Sequence, residues 1–257
     1  MTAPYRVYVI SARRPGNVPG MQSRLGPAEP VTWVVPDGEA ADYRLAGARS
    51  VLPVPAPTGA ARYLPVQRNA ALDNARDRGV VCVQTDDDLR RLYAPVWPPG
   101  DAKPVRVTIT WAQARKRLID ALGATGAYLA GVNPTTNLLD VINRPETVPY
   151  GFVRAALCAI DARHDVPRFD DTLPLKEDYD YSCRHLATYG ALVRCNWLLA
   201  DYSYGTNRGG VVTYRNPQLE AETMGLLVGR WPQYLRPHHR RQGELSFLPR
   251  RRGAPKP

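Results

Sequence analysis

Lysine is scarce in this chain: four of its 34 basic residues are lysines (Lys103, Lys116, Lys176 and Lys256), and the others are arginines. Cysteine is sparse as well. Cys82, Cys158, Cys183 and Cys195 show no paired metal-ligand spacing, which argues against a cysteine-held metal cluster. Cys82 and Cys158 lie in apolar runs and read as reduced core residues of a cytoplasmic protein. No apolar run approaches the length of a membrane span, and Met1-Thr2-Ala3-Pro4 opens no secretory core, so no membrane partner is expected. There is no internal repeat, which sets solenoids and propellers aside.

At 257 residues, 44% hydrophobic and 23% charged, the chain suits one α/β domain with a large core. The net charge of +10 favours a polyanionic partner. From Arg236 to Pro257 seven cations face the single carboxylate of Glu244, so six of the ten net charges sit in that stretch. A flexible basic tail over 236–257, with Arg240, Arg241, Arg250 and Arg251 meeting phosphates, is the expectation. The general preference for arginine weakens that inference, because part of the charge is compositional.

The first half alternates strand-like and helix-like segments, as an α/β layer fold requires. Strands are predicted over Tyr5–Ile10, Val31–Val35 and Ser50–Val54. A helix runs from about Pro65, suited to a first turn, to Gly79, suited to a helix end. After a Pro/Gly connector from Pro95 to Pro104, Thr110 and Gln113 form a capping box for a helix reaching Gly123, with Trp111, Ala114, Leu118 and Ala121 on one face. Ala127–Val132, Phe152–Ile160 and Val193–Leu199 read as further buried segments. The long polar stretch between Asn133 and Pro149 suits contact with a ligand or partner. A helix is predicted from the acidic Lys176-Glu177-Asp178-Tyr179-Asp180 to about Gly190, and a glycine-rich loop at Asn207-Arg208-Gly209-Gly210.

The most informative stretch is Val80-Val81-Cys82-Val83-Gln84-Thr85-Asp86-Asp87-Asp88. A buried strand ending in three carboxylates presents mutually repelling charges to a ligand crevice, and a cation among them would relieve that repulsion. Hard oxygen ligands favour Mg²⁺ or Mn²⁺. The plainer alternative is that Asp88 caps a helix beginning at Leu89. Ser11, Arg13 and Arg14 close the first strand in a position suited to nucleotide phosphates or a base, or are ordinary loop residues, while Asp37 and Glu39 follow the second, where acids often bind a ribose or a base edge. Arg68 and Asn69 open the helix before the acidic strand, facing either a pyrophosphate or solvent. Glu177 and Asp178 stand where a helix dipole favours acids with no further role, or where one acts as a base toward an acceptor hydroxyl. His238 and His239 carry imidazoles able to reach a metal, or are solvated.

In order, the blocks Val7-Tyr8-Val9-Ile10-Ser11-Ala12-Arg13-Arg14-Pro15, Val34-Val35-Pro36-Asp37-Gly38-Glu39, Gln67-Arg68-Asn69-Ala70-Ala71-Leu72, Gln84-Thr85-Asp86-Asp87-Asp88-Leu89 and Leu175-Lys176-Glu177-Asp178-Tyr179-Asp180 resemble a GT-A glycosyltransferase. More narrowly, with Asn207-Arg208-Gly209-Gly210, they resemble the TET/JBP-associated glycosyltransferases of phages over roughly residues 5 to 215. The resemblance implies a Rossmann-like nucleotide-sugar fold over 1–235, with a mostly parallel central sheet flanked by helices. It implies a DxD pair in which Asp88 binds Mn²⁺ or Mg²⁺ and Asp86 serves both metal and sugar. Ser11, Arg13, Glu39, Asn69, Arg68 and Asp87 would stand on the donor side. Gly209 and Gly210 would close over the phosphates, Asp178 with Glu177 would sit beside the acceptor, and His238 is the candidate C-terminal metal ligand. The implied donor is a nucleoside-diphosphate sugar, foremost a UDP-sugar, and the implied acceptor a hydroxymethylated pyrimidine in DNA. A base flipped out of a duplex would then need a stacking partner, and Tyr128 and Tyr150 are the candidates. Rival readings keep the enzyme with a glycan, lipid or protein acceptor, or make the chain a catalytically silent DNA-binding module.

Overall fold

The computed structural model describes residues 3–58, 62–100, 103–141, 144–203, 215–241 and 243–249. In chain order these form β1 (Tyr5–Ile10), α1 (Val18–Leu25), β2 (Val31–Pro36), α2 (Ala40–Leu45), β3 (Val51–Val54), α3 (Tyr63–Asp77), β4 (Val81–Asp86), β5 (Leu89–Val96) and β6 (Val105–Thr108). There follow α4 (Trp111–Thr125), β7 (Leu129–Asn133), β8 (Thr147–Val148), β9 (Arg154–Ile160), α5 (Glu177–Tyr189), β10 (Val193–Tyr202), α6 (Pro217–Arg230), β11 (Leu235–Pro237) and β12 (Leu245–Phe247).

The main sheet runs β3-β2-β1-β4-β9-β7-β10-β5-β6, with β8 paired to β10. β1, β2, β3 and β4 are parallel, and β7 and β10 are parallel to each other. β9 runs antiparallel between β4 and β7, and β5 and β6 are antiparallel as well. The sheet is therefore α/β and mixed, rather than mostly parallel throughout. The physical reason lies in the connections: β1 to β4 are joined through helices, whereas among the described residues no α-helix lies between β7 and β9.

Alternation along the strands sorts the core into two layers. Val7 and Val9 pack with α1, α2 and α4 on one face, and Tyr8 and Ile10 pack with α3 and α5 on the other. Each fully buried Leu or Val contributes roughly 1.5–3 kcal/mol relative to exposure. The Thr110 capping box forms as expected, Gln113 N donating to Thr110 Oγ1 at 3.2 Å and Thr110 N to Gln113 Oε1 at 2.8 Å. Trp111, Ala114, Leu118 and Ala121 all face the core. All four cysteines are buried and free.

Two departures from the readings above bear on the site. Leu89 begins strand β5 instead of a helix, so Asp88 caps nothing and lies in the turn between two strands. The segment after Arg236 is not a free tail through its described part: β11 and β12 pair as a hairpin whose Leu235 and Leu245 are buried with Leu227 of α6. Burial of these leucines ties it to the body. Among the described residues, no helix is long and apolar enough to cross a membrane.

Candidate functional site

β1 lies at the point where the chain's direction of travel across the sheet reverses. It leads to β2 on one side, and α3 later delivers the chain to β4 on the other. Ligands of open α/β sheets bind outside the C-terminal strand ends at such a point. A cavity of about 1260 Å³ opens there, bordered by the ends of β1, β2, β4 and β7, the start of α5 and the β11–β12 hairpin. Among the described residues, ten arginine or lysine side chains and six carboxylates line it, so its walls favour an anionic ligand. Among the described residues, two that are not glycine adopt left-handed backbone, Arg13 (φ 61°) and Lys176 (φ 60°), and both border this cavity. Such strain concentrates where a site overrides local preference.

Polar contacts organise the end of β1. Ser11 Oγ lies 2.5 Å from Tyr43 Oη of α2 and donates to Asp87 Oδ2. Arg14 N donates to Tyr43 Oη at 3.1 Å, and the Arg14 guanidinium pairs with Asp87 at 3.1 Å. Arg13 N donates to Glu39 Oε2 at 2.6 Å, which ties the end of β1 to the turn after β2. Gln67 of α3, fully buried, donates to Ser11 O at 2.7 Å and Val34 O at 2.8 Å, clamping the two strand ends together. Asp37 only closes its own turn, accepting from Gly38 N at 2.7 Å.

The three carboxylates at the end of β4 have three different fates. Asp87 turns inward among Ser11 and Arg14 and is 1% exposed; it does not border the cavity. Burial pushes its pKa up to about 7, against the pull of Arg14. Asp86 and Asp88 do border the cavity. Burial, then the neighbouring Asp86 charge, pushes Asp88 up to about 6. Asp86 accepts from Arg68 Nη2 at 2.9 Å.

Arg68 faces neither solvent nor an open phosphate position. Its 2% exposed guanidinium also donates from Nε to Glu177 Oε1 at 3.3 Å, and from Nη1 to Ala155 O at 2.9 Å and Gln84 Oε1 at 3.3 Å. Burial works against this cation, but the Asp86 and Glu177 carboxylates outweigh it and hold its pKa above the ordinary value. Arg68 thus joins the two acidic constellations through one group, and Glu177 is committed to that bridge. Asp178 borders the cavity beside it. Burial and the Glu177 charge hold its carboxyl well above the ordinary range, although Arg154 and Arg68 pull the other way. An aromatic wall adjoins it: Phe152 stacks on Tyr179 with centroids 4.0 Å apart, and Phe247 borders the same space.

The remaining expected residues divide. His238 and Arg241 border the cavity, whereas Arg240 is exposed outside it. His238 Nδ1 accepts from the amides of Arg240 and Arg241, each at 3.1 Å, which leaves Nε2 as its other nitrogen. Asn69 does not line the cavity. Its amide donates to Phe169 O and accepts from Phe169 N, both at 2.9 Å, fastening the loop before α5. Tyr128 packs on His164 and Tyr189 and lines a smaller cavity of about 500 Å³, while Tyr150 packs against Tyr234 and Phe247. Neither borders the main cavity, so Phe152 and Tyr179 replace them as the stacking candidates. Gly209, Gly210, Arg250 and Arg251 lie outside the described residues. Sequence reading missed Tyr43, Arg154 and Arg194; each sits inside an ordinary helix or strand, and only the fold turns it to the site.

Asp86, Asp88 and His238 all border the cavity, and the two carboxylates are oxygen donors of the kind that suits Mg²⁺ or Mn²⁺, whereas an imidazole is a softer donor. Among the described residues, no three His, Cys, Asp or Glu side chains are gathered closely enough to hold an ion, and Asp86 is paired with Arg68. The donors fit in chemistry, and Asp86 must share itself between the guanidinium and an ion. No family model matches the chain, and no curated protein matches it significantly.

Proposed function

We propose that this chain is a metal-dependent glycosyltransferase of the GT-A type that moves a sugar from a nucleoside diphosphate to the hydroxyl of a hydroxymethylated pyrimidine in DNA. One observation carries the reading: Asp86 and Asp88 at the end of β4 and Asp178 at the start of α5 border a single basic cavity at the sheet's switch point. Ser11, Arg13 and Glu39 edge the end of it where a nucleotide would lie. Asp88 and Asp86, with His238 in reach of the same space, would hold a divalent cation, whose chemistry is to neutralise the departing diphosphate.

The residues of the chain supply the remainder. The acceptor hydroxyl oxygen forms its bond to the anomeric carbon as the bond from that carbon to the diphosphate oxygen breaks. In an inverting transfer the hydroxyl proton passes to Asp178, whose raised pKa suits a base working near neutrality. Phe152 and Tyr179 offer a flat apolar face for a base taken out of the stack. The net basic lining favours the phosphates of both substrates.

The test is incubation with hydroxymethylated DNA, Mn²⁺ and a panel of nucleotide sugars, followed by mass spectrometry of the digested nucleosides. A mass gain of one sugar on the modified nucleoside, dependent on the cation, is expected. Sugar release only onto water, or transfer to a glycan, lipid or protein but not to DNA, would overturn the acceptor assignment.

A further inference from the structure

The far wall of the cavity carries an arrangement that the donor does not use. Arg194 of β10 and Arg144 both border it. Arg194 Nε donates to Asn196 Oδ1 at 2.9 Å, and Asn133 Nδ2 donates to the same oxygen at 3.2 Å. Asn196, fully buried, is fixed in turn by donating to Pro145 O at 2.8 Å. Gly151 (φ 115°) makes room for the guanidinium, since a Cβ there would stand 3.0 Å from Arg194 Nη1. Trp197 Nε1 donates to Arg144 O at 3.1 Å and so holds the backbone of the second arginine, with Trp97 packed on Trp197 at 5.0 Å.

Among the described residues, no carboxylate pairs with Arg144 or Arg194. Burial, then repulsion from Arg144, pulls the pKa of Arg194 down to about 10. Two like charges held together by a built neutral scaffold form a site for an anion. The donor's diphosphate is a poor match for it. From β4, whose last residue is Asp86, to β10 there are three strand spacings, roughly 14 Å at about 4.8 Å each, and Asp88 lies at the far end of β10, where Ser203 N donates to its carbonyl at 3.1 Å, nine residues along the chain from Arg194. One diphosphate does not span both places.

We propose that Arg144 and Arg194 form a second anion subsite, which takes a backbone phosphate of the acceptor nucleic acid. The inference rests on the cavity holding its donor at the Asp86–Asp88 end. A phosphate seated here would fix the strand while its neighbouring nucleotide reaches the Phe152–Tyr179 face and Asp178.

The experiment compares the intact chain with Arg144→Gln, Arg194→Lys and Arg194→Gln. Fluorescence anisotropy reads a labelled hydroxymethylcytosine duplex across a salt series, and calorimetry reads inorganic pyrophosphate with Mn²⁺. Arg144 is exposed, so Arg144→Gln keeps the proposal testable even where a substitution of Arg194 disturbs folding in a thermal melt. Arg144→Gln is expected to weaken duplex binding and lower the salt slope by about one unit. Arg194→Lys, keeping the charge, loses less than Arg194→Gln. Pyrophosphate affinity stays within roughly twofold of the parent in each variant that folds. An unchanged slope, no duplex binding by the parent, or a loss confined to pyrophosphate would overturn the proposal. Arginine-dependent duplex binding with no sugar transfer from any donor would leave this subsite standing and sink the glycosyltransferase reading instead.

Discussion

Replacing Arg68 by methionine tests how the site is held together. The side chain is 2% exposed and its guanidinium serves Asp86, Glu177, Gln84 and the carbonyl of Ala155. Methionine fills much of the volume but leaves two carboxylates facing each other without their shared cation. Removing one partner of a buried ion pair costs about 3–5 kcal/mol, because the remaining charge stays desolvated. Domains are stable by only about 5–15 kcal/mol, so the loss is a large fraction of the total. At about 2–4 °C per kcal/mol for a chain of this size, the melting temperature falls by about 6–20 °C. Urea unfolding at pH 7 followed by circular dichroism reads the change as a shift in midpoint at constant slope. Arg68→Lys recovers little of it, since an ammonium point charge cannot fork to Asp86, Glu177 and Ala155 O together. A loss below about 1 kcal/mol for Arg68→Met, in the range of exposed pairs, would refute the bridge.

Three further outcomes are expected. Asp88→Asn lowers sugar transfer by about 10²-fold or more while duplex affinity is unchanged, measured by product mass and anisotropy; retained transfer would contradict the metal role. Asp87 and Asp88, raised to about 7 and about 6, bind protons more tightly folded than unfolded, so stability falls as pH rises from about 4 through 7. The lowered carboxyls of Asp161, Asp170 and Glu220 lose their contribution only below the ordinary carboxylate range, outside that window. Buried Asp178 acts in the same sense, whereas buried His185, lowered to about 3, opposes it as pH falls through the ordinary histidine range. In a His185→Gln background, urea midpoints should therefore rise from pH 8 to 5.5, and a flat or opposite trend there would count against the burial of these acids. Gly131→Ala places a Cβ against Val153 Cγ1 and 3.3 Å from Cys158 Cβ, at an expected cost of about 1–3 kcal/mol. Combining it with Val153→Ala should recover part of that in the same assay, and purely additive losses would argue against the clash.

The chain's local patterns determined a good deal. The predicted spans of β1, β2, β3, α3, α4 and α5 match the observed elements to within a few residues, because alternation and capping act between near neighbours. The acid-tipped strand was equally legible, since three carboxylates after an apolar run have few other places to go. What lay beyond reach depends on partners distant in the chain. Asp86, Asp87 and Asp88 are chemically alike and adjacent, yet one faces Arg68, one turns in to Ser11 and Arg14, and one borders the cavity, as packing alone dictates. Arg68 and Asn69 illustrate the same limit. Both stand beside the acidic strand, but a guanidinium shared with Glu177 and an amide spent on the backbone of Phe169 arise only once α5 and its preceding loop are seated. The antiparallel course of β9 and the return of the β11–β12 hairpin over the cavity are likewise tertiary decisions, driven by burial that no short stretch of residues can register alone.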